Sequence, residues 1–269
     1  MRQDLFDFIA KELYERSGLA ITMEKLYLLE SRLTPIAREN GMDTMEALVA
    51  TLAQSRNPGL MDQVVQAMTT NETMFFRDNK PFEWLKNIIL PELKAQGAGN
   101  RLNLWSAACS TGQEPYTLAI TMQEEAAKYP GLSMDITGTD LCTKALNRAK
   151  EGLYTQFEVQ RGMPIQLLLK YFDQREGNQW QVKDSLKSQV KYSTHNLLES
   201  PNYLGQFDIV YCRNVLIYFD QPMKKRVFEH IASTMRKPGY LVLGSAERAM
   251  GITDRFVPVE GQNGLYKLA

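Results

Sequence analysis

Residues 102–116 read Leu102-Asn103-Leu104-Trp105-Ser106-Ala107-Ala108-Cys109-Ser110-Thr111-Gly112-Gln113-Glu114-Pro115-Tyr116. Leu102–Ala107 is an apolar run of strand length, and Cys109–Gly112 has the small residues of a turn. A helix starts near Glu114 and continues through Ala119, Ile120 and Met122. A strand that ends in small residues and glycine before a helix lets backbone approach a ligand closely. Only one glycine is present, so the dinucleotide fingerprint is absent, and by itself the turn is equally well read as structural.

The same alternation continues downstream. Met134–Thr139 is a second strand ending at Asp140, Lys144–Glu151 is helical, Phe207–Cys212 is a strand and Gln221–Arg236 a helix. Pro238-Gly239 turns into a strand Tyr240–Gly244, and Phe256–Val259 with Leu265–Leu268 reads as a hairpin. Strands interleaved with helices predict an α/β fold with a doubly wound parallel sheet of Rossmann type, to which the hairpin adds an antiparallel edge. Residues 165–195 fit this less well. There Trp180 and Val182, then Val190 and Tyr192, alternate with polar residues and suggest a small β insertion.

Upstream the pattern is helical. Leu5, Phe8, Ile9 and Leu13 recur at helical spacing, as do Leu26, Leu29, Leu33 and Ile36, and a third stretch carries Leu48, Val49 and Leu52. A fourth opens on Asn57-Pro58, a cap followed by proline at the first helical position, and places Met61, Val64, Val65 and Met68 on one face. These methionines read as core filling. The expected domains are therefore residues 1–70, a small helical bundle, and residues 71–269, the sheet domain carrying the insertion.

Composition narrows the function classes. Lys plus Arg (31) balance Asp plus Glu (31), which argues against a nucleic-acid binder. No apolar run reaches the roughly 20 residues of a membrane span, and the acidic N-terminus does not read as a signal peptide. Cys109, Cys142 and Cys212 are odd in number and far apart, and His195 and His230 are the only histidines, so no metal site is expected. A soluble cytoplasmic protein follows as the simple expectation.

Three places carry candidate chemistry. Asp140, at a strand end, stands where nucleotide-binding sheets hold ribose hydroxyls, or else caps a helix. Glu114 is either a first-turn carboxylate favoured by the helix dipole or, with Asp140, one of two acids suited to a cationic ligand such as a sulfonium. Asn71–Arg77 (Asn-Glu-Thr-Met-Phe-Phe-Arg) is too aromatic for a linker, and Cys212–Phe219 (Cys-Arg-Asn-Val-Leu-Ile-Tyr-Phe) follows a strand directly on the ligand side of the sheet.

Asn71–Arg77, Ala108–Tyr116, Gly138-Thr139-Asp140, Asn196-Leu197-Leu198 and Cys212–Phe219 occur in the order of the motifs of the chemotaxis receptor methyltransferase (CheR) family. The chain resembles that family over essentially its whole length, including the helical N-terminal domain. It departs where the family often has Glu-Glu-Pro-Tyr and this chain has Gln113-Glu114-Pro115-Tyr116.

The resemblance implies S-adenosylmethionine as methyl donor, S-adenosylhomocysteine as product, and no metal. It implies that Asn71, Thr73, Arg77, Glu114, Asp140, Asn196, Leu197, Arg213 and Asn214 bind the cofactor, and that Arg77 and Tyr218 have catalytic or substrate-positioning roles. The implied reaction is methyl esterification of glutamate side chains on the cytoplasmic domain of chemotaxis receptors, by an enzyme expected to act as a monomer. A glutamate carboxylate, with a pKa near 4.3, is already ionised at neutral pH and needs no general base. Receptor docking is implied for the helical domain, where Lys25, Arg32 and Arg38 either meet an acidic receptor bundle or form a solvated face. The connection Asp173–Asn178 is short beside relatives that grip a receptor tail, and a tail-independent enzyme is expected. Two other readings compete: a methyltransferase for nucleic acid or a small molecule, opposed by the neutral charge and by Arg213-Asn214-Val215 in place of an Asn/Asp-Pro-Pro-aromatic motif, and a non-catalytic sensor or scaffold.

Overall fold

A computed structural model describes residues 1–55 and 57–269, which form two compact units. The first takes residues 1–70 together with Tyr218–Lys224; the second takes Asn71–Ile217 and Lys225–Ala269.

In the first unit four helices, α1 (Gln3–Ser17), α2 (Leu26–Glu39), α3 (Met45–Gln54) and α4 (Pro58–Ala67), bury the apolar faces that their periodicity predicts. Phe6, not Phe8, joins Leu5, Ile9 and Leu13 in the core of α1. The helix ends follow from local chemistry. Gly18 closes α1 in the left-handed region at φ 72°, and Thr44 and Asn57 accept backbone N–H groups at the starts of α3 and α4. Arg32 donates to the Thr69 carbonyl at 3.1 Å and also bonds the Met68 carbonyl and the Thr70 hydroxyl, so it caps the C-terminal end of α4. Its head group is thereby held by its own unit, while Lys25 and Arg38 are exposed.

The second unit begins with α5 (Lys80–Trp84) and α6 (Leu90–Ala95), which lie on one continuous helical stretch. Strand β1 (Arg101–Ala107), helix α7 (Gln113–Glu125), strand β2 (Ser133–Asp140) and helix α8 (Thr143–Glu151) follow. Next come β3 (Leu153–Thr155), α9 (Gln156–Gln160), α10 (Ile165–Tyr171), β4 (Phe172–Arg175), β5 (Gln179–Val182), α11 (Asp184–Lys187) and β6 (Val190–Thr194). The chain ends with β7 (Phe207–Cys212), α12 (Gln221–Ser233), β8 (Met235–Leu243), β9 (Phe256–Pro258) and β10 (Leu265–Leu268).

The main sheet has the order β6-β2-β1-β7-β8-β10-β9, parallel except for the antiparallel β8–β10–β9 edge. The doubly wound sheet with its C-terminal antiparallel pair is thus as expected. Successive strands step outward from β1 on one side and from β7 on the other, so the order reverses between these two. Register brings the carboxyl ends level: Ala107 pairs with Thr139 and with Cys212, Asp140 with Thr194, and Cys212 with Leu243. The loops that follow therefore emerge side by side at the crevice where such sheets bind ligands.

Two sequence expectations shift. Val190 and Tyr192 do not belong to the β insertion; they lie in β6, parallel to β2 at the edge of the main sheet. An edge strand alternates as an insertion strand does, so periodicity could not separate them. The small sheet is β3-β5-β4, beginning at Leu153, well before residue 165. Similarly, β8 starts at Met235, with Pro238-Gly239 inside it. A register irregularity opposite Phe207–Ile209 accommodates the proline, which lacks an N–H for the ladder. Among the described residues, no helix is long and apolar enough to cross a membrane.

Candidate active site

The segment Asn71–Asp78 is seated by its aromatic residues. Phe75 is fully buried and meets Tyr154 (5.0 Å between centroids) and Phe172 (5.6 Å) edge to face. The Phe75 carbonyl lies where a Cβ on Gly162 would stand, only 2.0 Å away, so a side chain at residue 162 would displace the segment. Phe76 donates its N–H to Thr117 Oγ1 on α7 (3.2 Å). The aromatic pair therefore fixes the backbone that carries Arg77, which explains why this connection is not polar.

The turn after β1 is drawn equally tightly. Gly112, at φ 92°, leaves no room for a Cβ: Ala149 Cβ would lie at 2.8 Å, Tyr192 Oη at 2.9 Å and Tyr154 Oη at 3.0 Å. Tyr154 donates its hydroxyl to the Thr111 carbonyl (2.7 Å), bracing the turn from behind. Gln113 is buried and accepts the Thr111 hydroxyl at 2.7 Å, a neutral acceptor where the resembling family often has a carboxylate.

Left-handed backbone at residues with side chains concentrates here. Among the described residues seven non-glycines have positive φ, and six of them are Phe76, Asp78, Asn79, Ala108, Ser110 and Asn214. Such conformations cost roughly 1–3 kcal/mol each and gather where function requires a particular loop shape.

Two hydrogen-bonded groups organise the polar residues. In the first, Arg213 is the hub. Its side chain is 2% exposed and donates Nη1 to Glu114 Oε2 (2.8 Å) and Nη2 to the Arg77 carbonyl (2.9 Å) and Asp78 Oδ2 (2.7 Å). Glu114 accepts the Ser106 hydroxyl on its other oxygen (2.8 Å). In the second group Asp140, also buried, accepts the Ser110 N–H and the Cys142 N–H, both at 2.8 Å. Burial raises the Asp140 pKa, and these backbone bonds oppose the rise. Ser110 in turn donates its hydroxyl to the Asn71 carbonyl (2.7 Å), and His195 donates its N–H to the Asp140 carbonyl (3.2 Å). Asn196 accepts the Leu198 N–H (3.1 Å), and the Leu197 carbonyl accepts His230 Nδ1 (3.1 Å).

Arg77, Glu114 and Arg213 thus share the first group and Asn71 and Asp140 the second, with Asn196 and Leu197 following shortly after the end of β6. Thr73 is half-buried on the same seated segment. The guanidinium of Arg77 donates to the Glu72 carbonyl (3.1 Å). Tyr218 is 38% exposed and falls in the helical unit, where Asp220 accepts the Tyr14 hydroxyl at 2.6 Å.

Cys109 and Cys212 are buried at the ends of β1 and β7, and burial followed by nearby carboxylates pushes both thiols well above their ordinary pKa. Asp140 and Glu114 act on Cys109, and Glu247 and Glu114 on Cys212. Burial is the larger cause, and it keeps both thiols protonated as packing groups at the strand ends. Glu247 itself is a residue the sequence reading missed. It follows β8 after Gly244-Ser245-Ala246, an acid just beyond a strand and small residues, which is the signal that singled out Asp140.

The donor set suits a ligand that carries both hydroxyls and positive charge. Glu114, in the first turn of α7 after β1, and Asp140, at the end of β2, each have lone pairs beyond the protein partners named above. Arg213 Nε is buried and without a hydrogen-bond partner. Among the described residues no three His, Cys, Asp or Glu side chains gather as metal ligands would.

Comparison with known proteins fixes the family. Residues 71–265 match the family described as "CheR methyltransferase, SAM binding domain", and residues 4–69 match "CheR methyltransferase, all-alpha domain". The chain belongs to the CheR methyltransferase family.

Within that family it is similar to the chemotaxis protein methyltransferase Cher2 of Pseudomonas putida, 41% identical over 92% of this chain and 91% of the relative. It is 39% identical to chemotaxis protein methyltransferase 1 of Pseudomonas aeruginosa, over 97% of this chain and 96% of that protein. It is 38% identical to chemotaxis protein methyltransferase 1 of Vibrio cholerae, over 99% and 97%. The CheR assignment makes the sheet domain an S-adenosylmethionine-dependent methyltransferase domain.

Proposed function

We propose that this chain methylates glutamate side chains of chemotaxis receptors, using S-adenosylmethionine and releasing S-adenosylhomocysteine. The reading rests above all on one observation: CheR family membership over nearly the whole chain coincides with acids and an arginine gathered at the switch point of the sheet. When bound, S-adenosylmethionine supplies an electrophilic methyl group on a positively charged sulfur.

In this reading Asp140 holds ribose hydroxyls and Glu114 contributes negative potential, while Arg213 keeps Glu114 oriented and ties it to Arg77. Asn71, Thr73, Asn196, Leu197 and Asn214 complete the pocket. Arg77 holds a carboxylate, of the cofactor or of the incoming glutamate, through paired hydrogen bonds, because a cation beside the sulfonium would oppose binding. Tyr218 orients the second oxygen of the glutamate. No proton need be removed, since the attacking carboxylate is ionised at neutral pH. The residues' task is alignment and exclusion of water from the nucleophile.

The same reading makes the protein a cytoplasmic monomer that uses neither metal nor nucleic acid. Residues 1–70 act as a docking domain and residues 71–269 as a methyltransferase domain. The three residues Glu176-Gly177-Asn178 between β4 and β5 favour receptor binding without a tail peptide. The test is to incubate the protein with methyl-labelled S-adenosylmethionine and receptor-containing membranes, treat with base and measure volatile methanol. Base-labile label on the receptor, lost in Arg77→Ala together with cofactor affinity and merely slowed in Tyr218→Phe, is the expected outcome. Unchanged turnover in both variants would overturn these roles, and absence of label despite cofactor binding would favour a scaffold or another substrate.

A further inference from the structure

Where β7 and β8 diverge beyond the Cys212–Leu243 pair, several backbone N–H groups lose their ladder partners. A buried loop must satisfy such groups some other way. Here one side chain does it. Glu247, 4% exposed, accepts the N–H groups of Val215 (2.9 Å) and Leu216 (2.7 Å) on Oε1, and those of Asn214 (2.8 Å) and Gly244 (2.7 Å) on Oε2. A carboxylate has about four lone-pair sites, so two bonds on each oxygen use its full capacity. Glu247 therefore has no lone pair left with which to hold a substrate.

The fit is close from the other side as well. A Cβ on Gly244 would lie 2.7 Å from Glu247 Oε2, 2.9 Å from Asn214 Nδ2 and 3.0 Å from Asn214 N. Asn214 is held at φ 60°, a conformation a free loop would readily leave. The amides so clamped belong to the loop that carries Asn214 and runs on into Tyr218.

We propose that Glu247 is a positioning residue for methyl transfer, its carboxylate fixing the Asn214–Leu216 loop in the shape that transfer requires. This rests on the proposed function, because it assigns the clamped loop to that reaction. Glutamine at residue 247 would keep one carbonyl oxygen and turn its NH2 toward two N–H donors, so at least two of the four bonds are lost with no change in side-chain size.

The experiment compares wild type, Glu247→Gln and Gly244→Ala in four measurements: amide hydrogen exchange, S-adenosylhomocysteine affinity, urea unfolding and receptor methylation. In Glu247→Gln, exchange at residues 214, 215, 216 and 244 should accelerate about tenfold or more. The rate constant kcat should fall about thirtyfold, as expected when reacting groups lose alignment. S-adenosylhomocysteine affinity should weaken no more than about fivefold, since Asn214 is the one proposed cofactor residue among the clamped amides and Glu114 and Asp140 are untouched. Gly244→Ala, which presses on the clamp from the opposite side, should show the same split and serves as the sole variant if Glu247→Gln does not fold.

Unaltered exchange at those amides, or faster exchange with unchanged kcat, would overturn the proposal. So would a loss of kcat matched by equal losses of affinity and urea stability, since that is the signature of a purely structural residue. Wild-type protein that yields no base-labile label on any receptor would instead overturn the proposed function.

Discussion

Asp140 shows what a single residue's surroundings decide. Its position at the end of β2 left two readings open, ribose ligand or helix cap; the structure puts the N-cap of α8 at Cys142 without a side-chain cap, and Asp140 instead accepts the Cys142 and Ser110 N–H groups of the flanking loops. Each oxygen accepts one of these bonds, which leaves lone pairs for a ribose hydroxyl. Replacing Asp140 with Asn removes charge from any bond to a ribose hydroxyl, and hydrogen bonds to charged groups contribute about 1.5–3 kcal/mol. S-adenosylhomocysteine should bind Asp140→Asn roughly tenfold to a hundredfold more weakly in a calorimetric titration. Arg213 teaches the complementary lesson. Its motif marked it as a pocket residue, yet only the folded chain reveals that its fork joins Glu114 on α7 to Asp78 and the Arg77 carbonyl. The pairing is between residues about a hundred positions apart, and no local pattern encodes it.

At the scale of elements, the segment Asn71–Arg77 is held by an aromatic anchor two residues before Arg77, the arginine proposed to hold a carboxylate. Phe75 sits among Tyr154 and Phe172, with Gly162 giving its carbonyl room. Phe75→Ala should destabilise the sheet unit by about 3–5 kcal/mol in urea unfolding, the usual cost of emptying an aromatic core site. Because the anchor also positions Arg77, cofactor affinity should fall in that variant even at temperatures where it remains folded. The helical unit illustrates an element-scale correction. Arg32 reads from sequence as a docking charge or as part of a solvated face, but its head group bonds the chain at the end of α4, while Lys25 and Arg38 are exposed.

For the whole molecule, pH dependence offers a test of burial. His195 is 3% exposed beside Trp105 and Tyr203, and burial, with a smaller effect from His230, lowers its pKa from 6.5 to about 4. The unfolded chain then takes up this proton first as pH falls, so the contribution of His195 is complete above pH 6.5 and is lost progressively toward pH 4. The difference in urea midpoint between pH 7.5 and pH 5 should therefore shrink in His195→Gln; an unchanged difference would contradict the burial argument. The sequence by itself determined the alternation of strands and helices, the helical opening, the C-terminal hairpin and the acids at strand ends, because periodicity and turn chemistry are local. Tertiary structure alone decided that Val190–Thr194 joins the main sheet, that Arg213 bridges two loops, that Tyr218 groups with the helical unit and that Glu247 clamps the end of β7. Apart from the grouping of Tyr218, these depend on strand order and register, which bring residues distant in sequence to one edge of the sheet.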